Sequence, residues 1–462
     1  MGKRFRLEFC VFARKAVDSL CRIAFLARLL SAAGLSSMTA AHLPAVKSAN
    51  REFGLLKGAD AILVRRRVDR WLTCAPVITA TFLSKISIPP FGALGLSLAI
   101  PQLCLAAAVG VLSGRLLFDA RRLQFYILLL SFMALVQVTR GDNYSLPSLL
   151  LFGALHFPYV LSLTGRPDYK KVLAFFQNVA LVIAILGILQ YSIQFAIGSK
   201  FAFPLENFFP EPFLVSKFNQ QGYLEYGSDV YRANGVFMLE PSFFSQFLAV
   251  AIVVEAISFR RLWVFGIFFT GMVVCFSGTG LMLLAACLPC LAIAKRRFDL
   301  LAAGAVGLAA VIFLAMLIDH PFLNVFFKRA NEFSATGSSG FARFVGGFYL
   351  FEQFLWPEPL RGLFGFGAGS LQAYQQKATL PSGGNAFFKM VFEFGIVGGG
   401  LYFIFLYYCL ARSAAPVMIR VAVGLTYFLS GVYIPFSHAL ALALVVWPNP
   451  PQITKSEVED NE

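Results

Sequence analysis

Charge is scarce in this chain. Only 14% of its 462 residues are Asp, Glu, Lys or Arg, against 58% hydrophobic residues, and its mean hydropathy is +0.72. Soluble domains, secreted or cytosolic, and disordered chains all carry more charge than this, so these classes are excluded and a polytopic membrane protein remains. Acidic residues are the scarcer sign, 24 against 39 basic ones, for a formal net charge of +15. That excess would suit nucleic acid if it formed a stripe on a soluble core; instead the basic residues punctuate apolar runs, as orientation signals do in a bilayer. The eight cysteines all fall in the N-terminal segment or in apolar runs, which excludes a disulfide-stapled ectodomain. Cys287 and Cys290 have the spacing of a redox or metal pair, but they sit in an apolar stretch with no histidine nearby and read as small hydrophobic residues.

What the chain has in abundance is apolar length. With about 20 residues needed per crossing, spans are expected near 71–88, 91–112, 123–139, 146–164, 172–197, 235–258, 262–277, 279–294, 300–318, 386–410 and 417–447. The expected fold class is an all-α integral membrane protein of about 11–12 transmembrane helices. Twelve result if the last run hides a hairpin around Gly431 to Pro435, and the side on which the acidic tail (448–462) ends stays open. Arg115, Arg121, Arg122, Arg166, Lys170, Lys171, Arg260, Arg261, Lys295, Arg296, Arg297, Arg412 and Arg420 fall in one set of short connections; the alternate set holds only Lys85 and Arg140. The first set is expected inside. Residues 1–70, rich in Lys and Arg, belong with it as a cytoplasmic or interfacial segment; the apolar run 16–35, broken by Arg22 and Arg28, fits an amphipathic helix on anionic headgroups, or a chain that begins at Met38. Two long loops, 198–234 and 319–385, are left outside.

Ionisable residues inside a membrane are costly and so are functional candidates. Glu255 lies close to Arg260 and Arg261 and reads as an interfacial partner, while Lys389, Glu393, His156 and His438 lie in or at the ends of spans. Glu240 has the most informative surroundings, between Arg232 and Ser242. Pro241 disfavours helix at Glu240 and suits the first position of a new helix, so the span is expected to restart there with its amides facing a cavity. A Pro-kinked helix with a snorkelling Glu is the competing reading. Ser277-Gly278-Thr279-Gly280 joins two spans of only about 16 residues, which sets this turn below the surface on the same side. The larger loop contributes Arg329, Arg343, the run Gly365-x-Gly367-x-Gly369 and an N-capping Asn385. The glycine run follows no strand, so a dinucleotide fold is rejected. Arginines suit pyrophosphate, or else anionic headgroups.

In this order, Arg232 to Ser242 with its Glu-Pro-Ser core, Ser277-Gly-Thr-Gly280, Arg329, Arg343, the 365–369 glycines and Gly384-Asn385-x5-Val-Phe-Glu393-x-Gly395 resemble the O-antigen polymerase and O-antigen ligase-like superfamily over roughly residues 120–440. The resemblance implies a GT-C-like multi-helix glycosyltransferase of the inner (plasma) membrane, multi-pass, with its active site on the periplasmic face. It further implies inverting transfer of a glycan from an undecaprenyl-pyrophosphate donor without a metal or other cofactor, and as pathway partners a flippase and a chain-length regulator. Ligases of this family carry an outer histidine near the Asn385 region; here Ser382-Gly383-Gly384 stands instead, which favours the polymerase branch. Glu240, Arg329 and Arg343 are then the expected catalytic residues, and Arg232, Ser242, Ser277, Thr279 and Asn385 the expected substrate-binding ones. A ligase acting on another acceptor and a multi-span transporter are the alternatives.

Overall fold

A computed structural model describes residues 59–89, 91–139, 145–164, 168–216, 218–224, 229–295 and 333–448. The segment 1–58, the expected span 300–318, His320, Arg329 and residues 449–462 of the acidic tail lie outside the described residues.

The described residues are mostly helical. In order they form α1 (Ala59–Ile78, continued by a π turn over Thr79–Leu83), α2 (Ala99–Leu112), β1 (Leu116–Phe118), α3 (Ala120–Thr139), α4 (Leu146–His156), β2 (Leu161–Leu163) and α5 (Tyr169–Ile197). Two short helices, α6 (Ser199–Ala202) and α7 (Pro204–Phe208), lead to α8 (Pro241–Ser258), α9 (Leu262–Val274) and α10 (Gly278–Lys295). After the undescribed stretch come α11 (Ser339–Phe344), α12 (Gly346–Leu350), α13 (Pro359–Phe364), α14 (Ser370–Gln375), α15 (Ala386–Ala411), α16 (Val417–Leu429) and α17 (Pro435–Ala441, continued by a π turn to Val446).

Among the described residues, α3, α5, α8 and α15 are long and apolar enough to cross a membrane; α2, α4, α9, α16, α17 and the Gly278–Cys287 part of α10 are shorter apolar helices. Fewer rods are full-length than the apolar runs suggest, because turns take residues from the runs. Residues 235–240 are non-helical, and 157–163 end α4 in a 3-10 turn and strand β2. Helices suit an apolar solvent because each satisfies its own backbone. α8 is apolar and buried on nearly all sides, which makes it the bundle's central helix.

One end of the bundle is basic. There β1 and β2 pair antiparallel, Arg115 grips Asp69 through Nε and Nη2 at 2.5 and 2.6 Å, and fully buried Arg122 donates to the carbonyls of Leu161 and Val446. Arg261 pairs with Glu255 through both Nε and Nη2, at 3.0 and 2.9 Å. Trp447 lies at this same end, its indole N–H on Pro158 O at 3.0 Å. Residues 417–447 are therefore a helical hairpin turning at 430–434, and the chain at Trp447 has returned to the basic end.

α9 and α16 have 13 residues each and so rise only about 20 Å from that end, against a hydrocarbon core of about 30 Å. Neither is long enough by itself to cross such a core.

The glycine run over 365–369 has a structural task. α15 breaks at Gly395 (φ 68°), where a β-carbon would stand 2.1 Å from Leu363 O. A broken helix frees carbonyls, and here Phe366 N and Gly367 N take those of Phe392 and Glu393 at 3.1 and 2.7 Å. Gly365, Gly367 and Gly369 all have positive φ, which lets the loop bend back on the helix in so few residues.

Candidate functional site

The site begins where α8 begins. Glu240 is extended (φ −146°, ψ 160°), Pro241 occupies the first helical position, and the residues before Glu240 form turns. The helix therefore restarts at the proline rather than passing through it kinked. The Phe243 amide, expected to be free, bonds Glu240 O at 3.1 Å, so backbone donors there are partly used within the turn.

Both oxygens of the Glu240 carboxylate are held. Oε1 accepts the Asn219 amide at 3.1 Å; Oε2 accepts Ser242 Oγ at 2.9 Å and Arg343 Nη2 at 2.7 Å. Arg343 comes from α11, a short helix capped by Ser338, whose hydroxyl accepts the Phe341 amide. This helix is docked on the strap before α15: Gly383 N donates to Ala342 O at 2.5 Å, and Asn385 Nδ2 donates to Arg343 O at 2.9 Å.

Below Glu240 the turn from α9 to α10 packs on the first turn of α8. Thr279 Oγ1 donates to Ser242 O at 3.1 Å and lies 3.0 Å from Ser277 Oγ, and Ser245 Oγ accepts the Gly280 amide at 2.9 Å. Position 280 must be glycine, since a β-carbon there would stand 2.1 Å from Ser245 Oγ.

These pieces enclose a cavity of about 150 Å³, lined by Arg232, Glu240, Ser242, Ser277, Thr279 and Arg343, with Asn219 at one wall and Met282, Phe333 and Phe344 giving an apolar side. The N-termini of two 18-residue helices, α8 and α10, open on it. Two guanidinium groups against one carboxylate, with two helix dipoles pointing their positive ends inward, favour a bound polyanion. The apolar wall suits a hydrocarbon chain leaving the same cavity. Tyr231, next to Arg232, is pushed up in pKa first by its hydrogen bond to Tyr223 and then by burial, so it stays a neutral phenol.

Six of the eight site residues expected from sequence thus meet at one cavity. Asn385 does not line it: it caps α15, accepting the Phe388 amide at 3.0 Å, and spends its remaining donor on Arg343, behind the cavity wall. Arg329 lies outside the described residues. Asn219 and the apolar wall were not anticipated, since neither a lone loop amide nor Met282, Phe333 or Phe344 carries a local pattern. Comparison of the chain with models of known protein families finds no match, and comparison with curated proteins finds none either.

Proposed function

We propose that this protein is a membrane polymerase that transfers a glycan from an undecaprenyl-pyrophosphate donor to a lipid-linked repeat unit on the extracytoplasmic face. The observation that carries the reading is the Glu240–Arg343 pair, at 2.7 Å, lining one cavity with Arg232 and two helix N-termini. In the reaction, the acceptor hydroxyl attacks the anomeric carbon, its proton passes to Glu240, and the carbon–oxygen bond to the pyrophosphate breaks with the electron pair on the leaving group. Arg343 and Arg232, with Arg329 by resemblance, neutralise that charge as it develops. The donor's own phosphates compete for Arg343, so donor binding releases the Glu240 carboxylate to face the acceptor.

The test is gel analysis of lipid-linked glycans in cells with and without the gene. Single repeat units accumulate without it if the reading holds. Long polymer that is merely detached from its anchor would instead mark a ligase, and unchanged chain length would end the proposal.

A further inference from the structure

We infer that Lys85 and Glu206, a buried ion pair outside the cavity, are positioning residues that set where the Glu240 carboxylate stands; the inference rests on the proposed reaction only for what that carboxylate does. Lys85 is fully buried, with its Nζ 2.5 Å from Glu206 Oε1 and 2.7 Å from Val236 O. The same Glu206 oxygen accepts Asn234 Nδ2 at 2.8 Å.

Asn234, also fully buried, is the hub. Its Nδ2 donates to Gln220 O at 2.8 Å, and its Oδ1 accepts the Val236 amide and Gln190 Nε2, each at 3.0 Å. Two routes lead from this hub to Glu240. On the first, Gln220 fixes its neighbour Asn219, whose amide donates to Glu240 Oε1 at 3.1 Å. On the second, Gly235 (φ 68°) and Val236 (φ 67°) turn the chain so that residues 237–240 drop onto the first turn of α8. Left-handed geometry is ordinary for glycine but strained for a β-branched residue, and such strain persists only where the surroundings enforce it. At Val236 they do: Lys85 grips its carbonyl and Asn234 its amide.

A buried ion pair is a poor device for stability alone, since apolar replacements often do as well. This pair has a further effect, because each partner holds a polar group of the segment that aims the carboxylate. Among the described residues Glu206 Oε2 is buried without a hydrogen-bond partner, so the pair leaves one of its own bonds unmade where it holds the segment.

The experiment uses the full chain in lipid nanodiscs, comparing wild type with Lys85→Met/Glu206→Gln, which removes both charges and leaves none uncompensated. Expected are a melting temperature within a few degrees of wild type, KM for lipid-linked repeats within about twofold and kcat lowered at least tenfold. Backbone amide exchange over 218–222 and 232–240 should be at least tenfold faster. Adding Val236→Gly, which adopts the turn without Lys85, should recover at least threefold in kcat. Unchanged exchange in those segments overturns the inference whatever the activity, and so does an unchanged kcat. If wild type itself does not lengthen repeats, the reaction reading fails separately while exchange still decides the positioning. Should the double variant not fold, Asn234→Leu, which leaves both charges of the pair in place and removes the donor to Gln220 O and the acceptor of the Val236 amide, is read in the same way.

Discussion

Arg343 Nη2 lies 2.7 Å from Glu240 Oε2, two side chains brought together across 103 residues of sequence. Glu240 is buried and Arg343 part-buried, and each is held from behind: Glu240 by Pro241 at the start of α8, Arg343 by the Asn385 side chain on its carbonyl. A carboxylate and a guanidinium fixed in this way both face the cavity and are available to a ligand there.

Glu240→Gln keeps the shape and the bond from Ser242 but removes the charge. Polymer formation is expected to fall at least about 100-fold, in the range seen when a general base is lost, while the variant inserts and melts as wild type does. Gel profiles of lipid-linked glycans and a detergent melting curve check both halves. Normal chain length would remove Glu240 from the mechanism.

Arg343→Ala and Arg232→Ala each delete a donor for an anion. A charge-assisted hydrogen bond contributes about 1.5–3 kcal/mol, so inorganic pyrophosphate should bind about 10- to 100-fold more weakly to either variant. Calorimetry on purified protein reads this directly; equal affinity in both would show that the anion does not sit here.

Asn385→Asp separates capping from positioning. Aspartate still caps α15, but it presents an acceptor to Arg343 O where an amide donated. Melting should change by no more than a few degrees while pyrophosphate affinity drops. If both stay at wild-type values, the contact between Asn385 and Arg343 is incidental.

Gly395→Ala forces a β-carbon to within 2.1 Å of Leu363 O at a φ of 68°. Strain of this kind costs about 1–3 kcal/mol, more if the backbone cannot shift, and should appear as a clear fall in melting temperature. The same change at Gly400, where a β-carbon meets nothing within 4 Å, is the control.

The parts of this site legible in sequence are those set by local chemistry. Pro241 announces the restart of a helix because its ring dictates the backbone on both sides, and two glycines beside two hydroxyls mark the turn at Ser277–Gly280. Orientation signals likewise show which connections share an end. Other features rest on partners distant in sequence. Lys85 and Glu206 are 121 residues apart, and a lone lysine at the end of an apolar run looks like any interfacial cation. The glycines of 365–369 imitate a phosphate loop, since the conformations that receive a phosphate also receive a carbonyl from a broken helix. Asn385 was readable as a cap, because capping is local, but not as the support of an arginine 42 residues earlier.

The break in α15 has a mechanical consequence. Phe392 and Glu393 give their carbonyls to Phe366 and Gly367 instead of to the next turn of their own helix, so the upper part of α15 is fastened to the loop that crowns the bundle and not to its own lower half. The crown and that upper part are bonded as one piece, and Gly395 is the joint between that piece and the lower half of the helix, where bending breaks the fewest backbone bonds.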